Sequence, residues 1–187
     1  MSHKWFLRAL AYCGCLGGMA AQAQAQTIGF LNPNVPVCFS RDYNSAHMRA
    51  HPAQRVSGMA LIYVPRRAFH GGAAEPQWDN QNGDLNFNAT LAVKLVGQRA
   101  THYTGANCRA PSPGLVRCVI DEDGGAFTLT QSGTGMRLEN VDGLTIYRAT
   151  GNGSIGGAPV RVQPDAEHRT FMLAGGQRTC RRGWSLP

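Results

Sequence analysis

Glycine and proline interrupt this chain so often that long regular helices are excluded over most of its length. The 187 residues include 23 glycines and 10 prolines. Between them lie short runs in which apolar and polar side chains alternate, at 56–64, 85–97, 115–121, 126–131, 136–141, 144–149, 159–163 and 170–174. Alternation bounded by turn residues is typical of antiparallel strands. The sequence therefore predicts an all-β fold, an antiparallel β-sandwich or barrel.

A weak internal similarity suggests a second β-architecture. Residues 121–129 and 165–173 share an initial Asp, an acidic third residue, a Phe and a final Leu, at an offset of 44 residues. Periods of this length occur in repeated β-units. A β-trefoil-like repeat of about 40–44 residues is therefore the alternative to the sandwich or barrel.

One stretch departs from the strand pattern and predicts a short helix at about residues 43–51. Asn44 or Ser45 can cap its first turn, and Pro52 stops it. A helix of about two turns is not stable alone, so we expect it to lean on the sheet.

The first 25 residues read as a cleavable signal peptide. Lys4 and Arg8 precede a short apolar run at 9–20, and Ala23 and Ala25 have the spacing that signal peptidase recognises. Lipid attachment at Cys15 stays open as an alternative. We expect a single exported domain at 26–187, periplasmic or extracellular, without a transmembrane segment.

Removal of the signal leaves four cysteines, which are Cys38, Cys108, Cys118 and Cys180. An even number of cysteines in an exported chain indicates disulfides. Of the three pairings, we favour Cys108–Cys118, which closes a short loop, and Cys38–Cys180, which ties the first strand to the last. The second bond is worth roughly 4 kcal/mol in the chain-entropy model. No C-x-x-C spacing supports zinc ligation instead.

Arginine dominates the positive charge of this chain. The whole sequence has a formal net charge of +7, and loss of two basic residues, Lys4 and Arg8, lowers it to +5. Lys94 is then the only lysine. Guanidinium groups bind phosphate and carboxylate through paired N–H donors, which lysine does less specifically.

Two stretches combine arginine with tryptophan and are the candidate binding residues. Arg66 and Arg67 are followed by Trp78, and Arg181, Arg182 and Trp184 lie near the end of the sequence. Arginine beside an aromatic ring suits sugars, carboxylates and lipid headgroups. We therefore expect a non-catalytic binding or accessory protein of the bacterial envelope. Its partner would be an anionic glycan, a lipid headgroup or another envelope protein, with no nucleic acid and no cofactor.

A metal-binding or metal-dependent protein is the alternative function. His47 and His51 are four residues apart, so a helix would place both imidazoles on one face. The sequence lacks H-E-x-x-H and G-x-S-x-G motifs, so we assign no catalytic residue. The acidic stretch at 121–123 precedes two glycines and predicts a tight turn between strands rather than a calcium site.

Overall fold

The structure is a computed structural model that describes residues 36–64, 77–79, 84–112, 114–121, 123–149, 155–177, 180 and 183–184. Its strands are β1 (Val37–Asp42), β2 (Val56–Tyr63), β3 (Gln77–Asp79), β4 (Asp84–Leu95), β5 (Thr101–Ser112), β6 (Leu115–Ile120), β7 (Gly125–Ser132), β8 (Gly135–Ala149), β9 (Ile155–Val162) and β10 (Thr170–Gln177). The helix described is α1 (Ser45–Ala50). The predicted signal peptide at 1–25 lies outside the described residues.

Eight of the strands form a closed antiparallel barrel. Around the ring the order is β1, β2, β4, β5, β6, β7, β8 and β10, and β10 pairs with β1 to close it. β3 pairs with β4, and β9 pairs with β8, beside this ring. The predicted all-β antiparallel fold is confirmed, in its barrel form.

The barrel also explains the internal similarity that suggested a trefoil. Both similar stretches run from a connection at one end of the barrel into a strand, β7 or β10. In each strand the shared Phe and Leu point inward, and Phe127, Leu129, Phe171 and Leu173 are all buried. The similarity thus reflects two strands that enter the same core in the same way, within a ring whose strands follow chain order rather than a three-fold repeat.

The interior of the barrel is filled by side chains from alternate positions. In β6, for example, Val116, Cys118 and Ile120 are buried while Arg117 and Val119 are exposed. The largest fully buried side chains are Phe39, Phe127, Phe171, Met59, Leu61, Leu91, Leu129, Met136, Leu138, Leu144 and Ile146. An eight-stranded barrel is just wide enough for such a packed core.

One end of the barrel, which we call the helical end, carries α1. Asn44 caps the helix by accepting the backbone N–H of His47 at 2.8 Å, and Pro52 follows it, which confirms the predicted helix. None of the helical residues is fully buried, but Tyr43 packs against the core. The connection between β9 and β10, residues 163–169, lies at this same end, because β10 begins there. At the opposite end, which we call the far end, β2 finishes at Tyr63.

Both predicted disulfides are present. Cys108 and Cys118 lie directly opposite each other on β5 and β6, inside the barrel. The Cys38–Cys180 bond lies on the outer face and spans 142 residues of sequence. It joins a second, smaller apolar cluster on the outer face that includes Ala60, Ile62 and Ala92.

Candidate functional site

Of the six predicted binding residues, only Trp78 and Trp184 are among the described residues. Arg66, Arg67, Arg181 and Arg182 lie outside the described residues, and Trp78 is placed in β3, opposite Leu85.

The described parts of the chain next to these arginines are nevertheless neighbours. β2 ends at Tyr63, which lies opposite Val37, and Cys180 is bonded to Cys38, the next residue of β1. The two arginine-bearing stretches are therefore attached to the barrel at adjacent points of its far end.

Trp184 lies against the barrel rather than in solvent. Its side chain is only 5% exposed. The indole Nε1 donates to Asp42 Oδ2 at 3.1 Å, and Lys94 Nζ lies 3.9 Å from the ring centroid. The ring rests over Gly58, where an added Cβ would lie 3.0 Å from Trp184 Cζ2. The indole is therefore largely buried against Asp42, Gly58 and Lys94, and a binding role for Trp184 stays a prediction.

A pair of arginines that the sequence did not single out lies on the outer face of the barrel. Arg109 in β5 and Arg117 in β6 are directly opposite in the register, and both side chains are exposed. Their outward direction follows from the inward direction of their neighbours Cys108 and Cys118.

The acidic stretch after β6 is a structural turn, as its glycines predict. The backbone N–H of Gly124 donates to Asp121 O at 3.2 Å. Gly125 has a φ of +99°, and an added Cβ would clash with Gly143 O, so only glycine fits there. The turn is thus packed tightly against β8.

Arg161 of β9 holds this turn against β8. Its Nη1 donates to Asp123 O at 2.8 Å and to Thr145 Oγ1 at 3.0 Å. Its Nη2 donates to Asp142 O at 2.6 Å. One guanidinium therefore satisfies acceptors from two separate chain segments, a structural role rather than a binding one.

Replacement of this guanidinium tests that role. We expect Arg161→Ala to lower the free energy of unfolding by about 2 kcal/mol, because hydrogen bonds from a charged donor are lost together. Urea titration followed by circular dichroism measures the change. Arg137→Ala is the matched control, since Arg137 makes a 3.7 Å contact with Glu139 at the surface and should lose no more than about 1 kcal/mol. Equal losses in the two variants would contradict the role.

The two histidines predicted to bind metal face the same way on and beside α1. Their ring centroids are 4.4 Å apart and stacked, and Tyr43 stacks on His47 at 4.5 Å. His47 Nε2 donates to Gln54 Oε1 at 2.9 Å, and His51 Nδ1 lies 2.9 Å from Glu167 Oε2. Within the described residues, no group of three or more His, Cys, Asp or Glu side chains is arranged to hold a metal. Metal binding at His47 and His51 stays a prediction.

A third histidine at the helical end, His168, is almost fully buried at 2% exposure. The backbone N–H of Arg55 donates to its Nε2 at 2.8 Å, and its Nδ1 lies 2.7 Å from Asp165 Oδ1. Burial acts to raise the pKa of Asp165, but hydrogen bonds from the His168 ring and the backbone N–H of Glu167 outweigh it, so this pKa lies below its ordinary value.

His102, the fourth histidine among the described residues, is buried in β5 near the helical end. Burial lowers its pKa, the positive charge of Arg148 lowers it further, and a hydrogen bond with the Ala100 backbone opposes both. A lowered imidazole pKa means that the unfolded chain takes up a proton more readily than the folded one. Below about pH 6.5 this residue therefore makes the fold less stable as the pH falls.

The fold defines the chain as a small, disulfide-linked, eight-stranded antiparallel barrel with one short helix at one end. No protein-family model, no curated protein and no solved structure matches it. Across the described residues, no helix has the length and apolar character required to cross a membrane.

Proposed function

We propose that this protein is an exported, non-catalytic binding protein of the bacterial envelope that holds phosphate or carboxylate groups of a glycan or lipid headgroup through arginines. Two disulfides are consistent with an oxidising, exported location. Because side chains fill the interior of the barrel, a ligand would bind to its outer surface or to the connections between strands.

The observation that carries the proposal is the attachment of the two arginine-bearing stretches at neighbouring points. Cys180, which precedes Arg181 and Arg182, is bonded to Cys38, and Tyr63, which precedes Arg66 and Arg67 by a few residues, lies opposite Val37. The long-range disulfide thus supports a single cationic surface from residues that are distant in sequence. Arg109 and Arg117 are also exposed, on the barrel wall.

The proposal is tested by binding of the oxidised protein to vesicles of phosphatidylglycerol mixed with phosphatidylcholine, and to heparin as an anionic glycan. We expect retention that falls as salt rises, because exposed charges are screened at high ionic strength. Arg66→Ala with Arg67→Ala should weaken retention at least several-fold. Arg109→Ala with Arg117→Ala reports separately on the barrel wall.

Arg137→Ala with Arg169→Ala is the matched control for total charge, because it also removes two exposed arginines from outside the proposed surface. The control should retain more binding than the Arg66 and Arg67 variant. Equal weakening in the two variants would reduce the effect to net charge, and unchanged retention of the Arg66 and Arg67 variant would contradict the proposed surface.

A further inference from the structure

Two contacts connect the segment before β10 to the connection between α1 and β2: His51 Nδ1 lies 2.9 Å from Glu167 Oε2, and the His168 ring contacts Arg55. His168 Nε2 accepts the backbone N–H of Arg55 at 2.8 Å, so this nitrogen carries no proton. The proton is on Nδ1, which donates to Asp165 Oδ1 at 2.7 Å. The closed arrangement therefore requires the neutral ring, in one tautomer.

The rest of the segment is held from the other side, by β8. Asn140 Nδ2 donates to His168 O at 3.1 Å and to Val162 O at 3.0 Å, and its backbone N–H donates to Arg169 O at 2.8 Å. These bonds contain no group that titrates near neutral pH. Release of the His168 ring would thus free the Arg55 N–H, while the Arg55 carbonyl stays bonded to the Val96 N–H and residues 163–169 stay anchored to the barrel.

We propose that His168 is an acid-sensitive latch: protonation at Nε2 breaks its hydrogen bond with the Arg55 N–H and loosens the closure of the helical end. The proton comes from solvent and occupies the lone pair that accepted the bond. Two N–H donors would then face each other at a position that is nearly inaccessible to water. The ring must leave this position to become protonated, and acid therefore favours the open state.

Several charged or titratable groups surround the latch. Asp165 attracts an imidazolium, but its side chain is 56% exposed, so solvent screens the attraction. His51 contacts Glu167 and stacks on His47. The side chains of Arg55 and Arg169 are exposed. The expected opening is consequently local to the Arg55 contact.

Asp165 itself does not set the pH of this opening. Its pKa in the folded protein lies below the ordinary 3.8. A depressed carboxyl pKa contributes stability that is present above the unfolded value and lost as the pH falls through the folded value. Between pH 7 and pH 5 Asp165 stays ionised in both states, so a transition in that window reports on histidine.

Hydrogen exchange at the Arg55 amide measures the latch directly in the intact, oxidised protein. We expect its protection factor, corrected for intrinsic exchange, to fall as the pH is lowered from 7 to 5, by up to about tenfold per pH unit. The Leu61 amide, in the middle of β2, reports on global unfolding, including the effect of His102. The change in its opening free energy with pH is therefore subtracted from the change measured at Arg55.

Two variants of His168 distinguish the effect of protonating the ring from the effect of losing the hydrogen-bond acceptor. Gln can accept the Arg55 N–H through its carbonyl and does not titrate, so His168→Gln should keep protection independent of pH between 7 and 5. His168→Ala lacks the acceptor and should show low protection at both pH values. A wild-type Arg55 amide whose protection does not change with pH, or an equal fall in His168→Gln, would overturn the latch.

Nuclear magnetic resonance of the wild-type protein gives a test that needs no variant. The ¹⁵N shift of His168 Nε2 and the amide shift of Arg55 should titrate with the same midpoint. Different midpoints would show that the Arg55 amide responds to another group and would equally overturn the proposal.

Discussion

Replacement of both Cys38 and Cys180 by alanine is expected to lower the free energy of unfolding by about 4–5 kcal/mol. The bond spans 142 residues, and the chain-entropy model assigns a large gain to a closure of that length. Guanidinium unfolding of the oxidised proteins measures the loss. The effect is large against the 5–15 kcal/mol that is typical of whole domains.

The matched variant removes Cys108 and Cys118, whose bond spans only 10 residues. The same model gives about 3 kcal/mol for that closure. Both variants lose one disulfide, but only the first removes a covalent link between residues that are distant in sequence. Coincident unfolding curves for the native protein and the Cys38 and Cys180 variant would contradict the stabilising role.

Replacement of Trp184 by alanine is the second large effect, an expected loss of about 3–5 kcal/mol. The indole is buried, donates to Asp42 and carries Lys94 above its ring, so the substitution removes packing, a hydrogen bond and a cation–π contact at once. Lys94→Ala is the control and should lose about 1 kcal/mol, because it keeps the buried ring. Losses of similar size in the two variants would contradict the packing role of Trp184.

The two large effects should not add. Trp184 and the Cys38–Cys180 bond belong to one outer cluster and fix the same stretch of chain. Once the disulfide is absent, the indole has to order that stretch without help and contributes less. Trp184→Ala in the background without Cys38 and Cys180 should therefore cost at least 1 kcal/mol less than in the native protein.

Much of the fold follows from local sequence, and the exceptions have a physical cause. β5 shows no clear alternation in the sequence because its inward positions are small or polar side chains, namely His102, Thr104, Ala106 and Cys108. β8 reads as two runs because Asp142 and Gly143 are typical turn residues, whereas in the structure the strand continues through Gly143, whose φ is +75°. Closure into a barrel depends on strand register, which local patterns do not specify.

The residues of the candidate sites are harder to predict from the sequence than the strands are. The disulfides followed from counting cysteines and from their separation. The Arg109–Arg117 pair depends on which residues of β5 and β6 stand opposite each other, and this cannot be read before pairing is known. The contact of His168 with Arg55 joins residues that are far apart in sequence through a backbone N–H, so no motif marks it. Burial of Trp184 likewise results from a tertiary contact.

The pairing of the first strand with the last has a consequence for how the molecule is made. The ring cannot close until residues 170–177 have left the ribosome, because β10 completes the contact with β1. Contacts between distant parts of a chain form slowly. The β5–β6 hairpin pairs consecutive strands and can form before β10 is available. Oxidation of Cys108 with Cys118 should therefore precede that of Cys38 with Cys180 during maturation.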